Sequence, residues 1–525
     1  MILFLTPPFV QLNTAYPATP SLVGFLSSRG YACTQRDLSI EVALEVLRTY
    51  GDEFAEEAVE ILQDPRLPDE AKVETTAYVD ELALWIRDHV DEDFGFSRYA
   101  ERLGVAVPDF GMILRRLRRR SPVDRILEAK TEEALRESGL LAARGRRIVG
   151  VTCPFPGTLL GAFRIAQVVK RVDPSIETVL GGGYVNTELR DLDDERVGRF
   201  FDAVMYDEGY APWLEFLGAP AAPVPAFVKP SYAGLDLSLY MDLPESENPM
   251  HRLWSTGRWL KIQMARGCYW HKCAFCDVTL DYIKCFEMPS AETVVDTMEA
   301  LAAETGLENP GFHFTDEAMP PALVERMSRE ILRRKFRCRW WGNVRFDTSF
   351  TPKLAKLMAR AGCIAVTGGL ECAVDRLLKL MNKGITLKSA RAALAAFADA
   401  GIMVHAYLMY GFPTQTEKEA SAALGHVRAL FREGLVQSAF FHRFALTVHS
   451  PIAREPERFG IVVPRDAGAA GKGRTFARNE IPFAEPGAPD WDRIGRGLKV
   501  ALYNYMRGVG YAKPLGFWFD AVDAG

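Results

Sequence analysis

The chain has 525 residues, 48% of them hydrophobic, and a formal net charge of −5 at pH 7. That is enough apolar material for two or three packed domains, and the charge argues against a general nucleic-acid binder. No run approaches the ~20 apolar residues of a spanning helix, and Met1–Pro8 lacks the basic flank of a secretory leader, so a cytoplasmic protein with no membrane partner is expected.

The first 220 residues alternate strands and helices. Strands are expected at Ile2–Thr6, Ala32–Leu38, Arg147–Thr152, Thr178–Gly182 and Ala203–Asp207, and helices at Pro20–Ser28, Thr158–Arg171 and Ala211–Leu217. This alternation predicts an α/β fold with a parallel, doubly wound, Rossmann-like sheet. The charged stretch 41–143 reads as a helical insertion, because a structureless loop of that length is unusual. Within it, Arg115–Arg120 is expected to be a solvated helix face. A proline-rich connector (219–230) marks a boundary, with linker sequence to about 255.

A second βα series follows over 256–450. Its strands are expected at Lys261–Ala265, Gly311–Thr315, Arg339–Val344, Ile364–Thr367, Met403–Tyr410 and Ser438–Leu446. Intervening helices fit Ala291–Glu304, Leu323–Arg333, Pro352–Ala361, Leu387–Ala400 and Glu417–Glu433. Six such units predict a partial (β/α)6 barrel of the TIM type. Residues 451–525 change character, carry one helix near Trp491–Met506, and are expected to cap a substrate cavity together with the insertion.

Reactive groups of βα barrels come from the C-terminal ends of strands. Here Cys268, Asp316-Glu317, Arg345, Gly368-Gly369-Leu370-Glu371, Gly411–Pro413 and His442-Arg443 fall at or near those ends. The run Cys268-Tyr-Trp-His-Lys-Cys273-Ala-Phe-Cys276 offers three thiolates within nine residues, a cradle for a metal or an iron–sulfur cluster. In this setting such cysteines imply metal or catalysis rather than disulfides. Structural zinc, with His271 as a fourth ligand, is the simpler alternative. In the first domain, Pro7-Pro8, Thr152–Gly157, Gly181–Gly183 and Asp207–Gly209 lie where open α/β sheets bind ligands. A nucleotide-binding or vestigial Rossmann-like domain is the alternative there.

The cysteine run, Gly368–Cys372 followed by Leu377–Gly384, Tyr410–Pro413 and the strand ending in Pro7-Pro8 together resemble the cobalamin-dependent radical S-adenosylmethionine (SAM) enzymes. The resemblance spans about 1–220 and 256–450. It implies that Cys268, Cys273 and Cys276 hold a 4Fe–4S cluster whose open iron chelates SAM. It implies SAM contacts from Phe275, Asp316, Glu317, Arg345, Gly368, Gly369 and Glu371. It implies a cobalamin held by Pro7, Pro8, Thr152, Gly181, Gly182, Gly183, Asn186, Glu208 and Gly209, without a histidine below the cobalt. The family's usual cysteine spacing is Cys-x3-Cys-x2-Cys, and this chain has four residues in the first gap. The expected reaction is C-methylation of an unactivated carbon, with a cyclisation, ring contraction or rearrangement as the alternative. A small-molecule or peptide substrate and an external donor of flavodoxin or ferredoxin type are expected. Catalytic candidates are Tyr410, His442 and Arg443. His405, Tyr407 and His449 are further candidates for the cavity wall.

Overall fold

The structure, a computed structural model, describes residues 1–96, 101, 110–190, 192, 194–220, 223–244, 248–307, 309–464 and 479–520. Residues 221–222 of the expected connector, and 465–478 and 521–525 of the expected capping segment, lie outside that set. Among the described residues no helix is long and apolar enough to cross a membrane.

Two parallel sheets carry the fold. The first runs β2-β1-β3-β4-β5 from β1 (Ile2–Thr6), β2 (Cys33–Asp37), β3 (Ile148–Thr152), β4 (Glu177–Gly181) and β5 (Ala203–Val204). Ile2–Leu5 and Ile148–Thr152 are buried along their whole length, as strands covered on both faces must be. On one face Phe4 and Val179 pack with Val23 and Phe25 of α1 (Ala18–Ser27) and Trp213 of α3 (Tyr210–Phe216). On the other, Leu5 and Val151 join the main core with α2 (Leu159–Val172). Strand order reverses between β1 and β3, which opens a crevice above their C-terminal ends. β5 is shorter than expected because Asp207 (φ 54°) and Gly209 (φ 78°) turn the chain into α3.

The insertion is helical at Leu38–Tyr50, Ala55–Gln63, Asp69–His89, Gly111–Arg118 and Pro122–Glu137. Arg115, Arg118, Arg119 and Arg120 of its basic run form the expected solvated face, but Arg116 does not. Arg116 is buried and bonds the carboxylates of Asp91, Asp93 and Asp124 at 2.7–2.8 Å. A buried guanidinium needs such partners, and the acids lie before and after it in sequence.

The second sheet runs β11-β10-β9-β8-β7-β6. Its strands are β6 (Leu260–Ile262), β7 (Gly311–Phe314), β8 (Arg339–Val344), β9 (Cys363–Glu371), β10 (Met403–Tyr410) and β11 (Ser438–Arg443). β9 continues through its glycine pair because β8 and β10 hold it from both sides. The register stacks side chains of one face in layers. Lys261, His313 and Trp341 lie opposite one another, with the His313 and Trp341 rings stacked at 3.6 Å. Above them come Asn343, Thr367, His405 and Ser438, then Gly369, Tyr407 and Phe440. α4 (Trp491–Met506) packs on the opposite face of β10 and β11, so it does not cap the layered face.

Candidate functional site

The cysteine turn is held at both ends. Asp316 is fully buried and accepts from the Met264 and Ala265 amides at 2.9 and 2.8 Å, which fixes the exit of β6 against β7. Cys268 N then donates to Ile283 O, and Ala274 N to Met381 O. The extra residue in the first gap is absorbed locally. His271 takes a left-handed conformation (φ 36°), and Trp270 Nε1 donates to Asn382 O at 2.8 Å. Asn382 Nδ2 donates back to Lys272 O at 3.0 Å. Gly384 (φ 74°) lies beneath the Trp270 ring, where a Cβ would come within 2.1 Å of it. Gly384→Ala is therefore expected to cost about 1–3 kcal/mol from backbone strain alone, read as a lower urea midpoint.

Cys273 and Cys276 are raised above the usual thiol range, first by burial. The charges of Lys383 and Arg345 pull Cys273 back down, whereas neighbouring thiolates raise both. Three thiolates on one turn repel one another, and a cationic metal between them would relieve that repulsion. His271 is exposed, with Nδ1 2.8 Å from Cys268 O. A multi-iron cluster gives each thiolate a different iron, a demand that three thiols spread along one turn can meet.

Next to Cys273, Glu371 and Lys383 form a buried pair at 2.6 Å. Glu371 sits at φ 52°, and Gly369 leaves the space that its carboxylate and the Lys383 ammonium occupy. Burial works against the charge of Lys383, but Glu371 and Cys273 outweigh it and raise its pKa. Lys383 was not among the expected site residues, although it lies in the Leu377–Gly384 motif. Phe275 lies beneath this ammonium, 5.6 Å from ring centroid to Nζ.

Several expected roles change. Asp316 is used on backbone amides and is not free to meet an amino group. Glu317 is the accessible carboxylate of the pair, raised by the surrounding protein. Arg345 bonds Lys383 O and lies over Trp270, and its buried Nε makes no hydrogen bond but lies 3.9 Å from Asp347 Oδ2. Gly368 packs against Val344 O and Phe346, away from Glu371. Tyr410 lies against Gly495, and Arg443 pairs with Asp492 at 2.8 Å, so both point to α4. Strand alternation sends His442 the other way, where Glu371 and Lys383 influence its charge and burial lowers its pKa. His405 and Tyr407 line the layered face, with His405 Nδ1 on Ser438 Oγ. His449 has a buried Nε2 without a partner.

At the crevice of the first sheet lies a cavity of about 980 Å³, counting its open mouth. Thr152, Gly181, Gly182, Gly183, Glu208 and Gly209 line it, and so do Lys261, Gln263 and Thr315 of the second sheet. Phe4, Gly150, Val179 and Trp213 add an apolar part to its wall. The Thr152 hydroxyl is buried without a partner. Lys261 is buried, donates to the neutral Gln11 amide at 3.2 Å and lies 5.9 Å from the Tyr16 ring centroid, and burial lowers its pKa to about 8. A cavity wall that is part apolar and part polar fits a large amphipathic ligand. Pro7 and Pro8 instead contact Gly161 of α2. Asn186 is taken up by Arg190 and the Asp207 amide, and Glu208 by Arg266. Gly182 (φ 113°) crosses so close to Cys153 that a Cβ would meet its backbone at 2.6 Å. The Cys153 thiol is wholly buried, near Thr158 Oγ1 and Phe155 O, so it does not face the cavity.

Residues 262–426 match the Radical SAM superfamily. An uncharacterised methyltransferase of Pyrococcus horikoshii is 24% identical over 54% of this chain and 64% of its own length. The anaerobic magnesium-protoporphyrin IX monomethyl ester cyclase of Rubrivivax gelatinosus is 25% identical over 56% of each chain. The chain thus spans less than two thirds of either relative. Among solved structures, the radical SAM methyltransferase TsrM from Kitasatospora setae, with tryptophan substrate and a SAM analogue bound, superposes with a TM-score of 0.57. That match covers 100% of this chain and 95% of TsrM at 16% identity, and it establishes a shared fold. TsrM has also been solved with cobalamin and a 4Fe–4S cluster bound.

Proposed function

We propose that this chain, which carries a radical SAM domain behind a parallel α/β sheet, is a cobalamin-dependent radical SAM methyltransferase acting at a carbon atom. The observation that carries this reading is the shared cavity: Lys261, Gln263 and Thr315 of one sheet face Gly181, Gly183 and Gly209 of the other. Two cofactors on two sheets would meet there. When bound, the cluster supplies the electron that cleaves SAM to a 5′-deoxyadenosyl radical, and cobalamin supplies the methyl group.

The chain's own groups have defined tasks in this reading. Cys268, Cys273 and Cys276 give up their thiol protons to ligate iron, and Lys383 and Arg345 favour the thiolate of Cys273. Glu317 accepts from an amino group, and the Arg345 Nε, which makes no hydrogen bond within the protein, donates to a carboxylate. Glu371, fixed by Lys383, presents its remaining acceptor capacity to hydroxyls. Thr152 and Lys261 meet polar edges of the cobalamin, and the apolar part of the wall excludes water from its buried part. His442 and Tyr407 face the substrate. An external flavodoxin- or ferredoxin-type donor supplies electrons, and the substrate is a small molecule or peptide.

Reduced protein given SAM, hydroxocobalamin and a candidate substrate should release both 5′-deoxyadenosine and S-adenosylhomocysteine. The relation to the cyclase, over 56% of each chain, favours a second reading in which no methyl group is transferred. That reading is chosen if 5′-deoxyadenosine forms alone, and the methyltransferase reading then fails.

A further inference from the structure

We propose that Arg266 is a positioning residue that couples filling of the cavity between the sheets to the geometry of the cysteine turn, through its ion pair with Glu208. The inference rests on the cofactor reading above and deepens it.

Glu208 belongs to the Asp207–Gly209 loop, which lines the cavity from the first sheet. Arg266 lies two residues before Cys268. The two side chains meet in a fork, Nε to Oε1 at 2.9 Å and Nη2 to Oε2 at 3.2 Å. Each is only 14% exposed. A two-point bond between a guanidinium and a carboxylate fixes direction as well as distance. At this low exposure it is screened far less than a surface pair.

Both ends of the pair are attached to parts that can transmit a shift. On the first sheet, Asp207 and Gly209 hold left-handed conformations on either side of Glu208. Asp207 is itself anchored by Arg190, at 2.9 and 3.1 Å. A ligand pressing on this loop therefore moves Glu208 between two fixed turns. On the second sheet, the Arg266 and Glu287 backbones bond each other in both directions, at 2.8 and 3.2 Å. Gly267 follows, packed so closely that a Cβ would lie 2.6 Å from Cys285 O. Displacement of Arg266 thus passes directly to Cys268. Arg266 also reaches Glu287 at 3.2 Å, so loss of Glu208 leaves its charge a partner. Glu208→Gln is accordingly a mild change for the fold.

Coupling between two sites is reciprocal and can be measured from either one. Hydroxocobalamin is titrated anaerobically into cluster-free and cluster-reconstituted protein, with the corrin absorbance as readout. In the unaltered protein the two dissociation constants should differ by about fivefold or more. In Glu208→Gln the ratio should fall to within about twofold with iron content and Tm unchanged, and in Arg266→Gln it should fall as far, with Tm lowered because the Glu208 carboxylate loses its partner. A pair that merely staples the sheets would lower Tm in both variants and leave the ratio as it was, and that result overturns the proposal. Equal constants in the unaltered protein overturn it as well. Absence of hydroxocobalamin binding in both forms overturns the cofactor reading and the coupling with it.

Discussion

Alanine at Cys273 is expected to leave the protein without its iron and without SAM cleavage while the fold persists. Cys273 is 9% exposed and feels the charges of Lys383 and Arg345. Its neighbours are held by backbone bonds that do not use the thiol, notably Ala274 N to Met381 O at 2.8 Å. Removing one sulfur therefore takes away a ligand without unlocking the turn. Two thiolates cannot retain a cluster that needs three, so iron and sulfide in reconstituted protein should fall from about four of each to background. The brown absorbance near 400 nm and 5′-deoxyadenosine formation should vanish together. Cys33→Ser, on β2 at the edge of the first sheet, should leave all three readings intact. His271→Ala should also retain iron, because its exposed ring already engages Cys268 O. Full iron in Cys273→Ala would remove the cluster assignment. Zinc in place of iron, lost in His271→Ala, would restore the single-metal alternative.

Alanine at Asp316 is expected to be among the most destabilising single substitutions in the barrel. It strips the acceptors from two buried amides, Met264 N and Ala265 N. Each orphaned amide costs about 1–3 kcal/mol, so the total is about 2–6 kcal/mol, a large part of a domain's usual stability. The loss falls on the turn that carries Cys268, so cluster assembly should fall with stability. Asp316→Asn should cost roughly half as much, since one oxygen remains and an amide NH₂ replaces the other. The pH dependence tests the cause. Burial pushes the Asp316 carboxyl up to about 7, against the pull of the two amides. A carboxyl raised in the fold lends stability that is whole below its unfolded pKa of about 3.9 and is lost as pH rises through about 7. Asparagine does not titrate. The advantage of Asp316 over Asn in urea unfolding should thus be larger near pH 5 than near pH 8. An advantage that grows with pH would mean that the ionised form is the stabilising one.

These two residues also show where sequence reading reached and where it stopped. The three cysteines could be recognised because they share one short turn and their chemistry depends on local spacing. Asp316 was correctly placed at a strand end, but its partners lie 51 and 52 residues away, just past the end of the neighbouring strand. An amide past the end of β6 and an amino group from a ligand make the same demand on a carboxylate, and sequence does not say which arrives first. Arg345 differs in the same way, drawn to Lys383 O and the Trp270 ring. Glu208 turned out to face Arg266 across 58 residues rather than a ligand alone. Tyr410 and Arg443 point away from the layered face because strands alternate, and only the position of α4 shows which face is which.

The alternation of apolar strands and amphipathic helices, the thiol run and the clustering of reactive residues at strand ends all follow from short-range periodicity and spacing. They are written in neighbouring residues, and they sufficed for two parallel α/β units and for placing the three cysteines on one turn at a strand end. The remainder depends on register and packing between segments far apart in the chain. The order of each sheet, the cavity shared by Gly181–Gly183 and Lys261, the Glu371–Lys383 pair and the Glu208–Arg266 bridge exist only once the strands are aligned. Polar side chains in a folded protein bond whichever complementary group is closest, and in these cases tertiary structure brought that group from elsewhere in the chain.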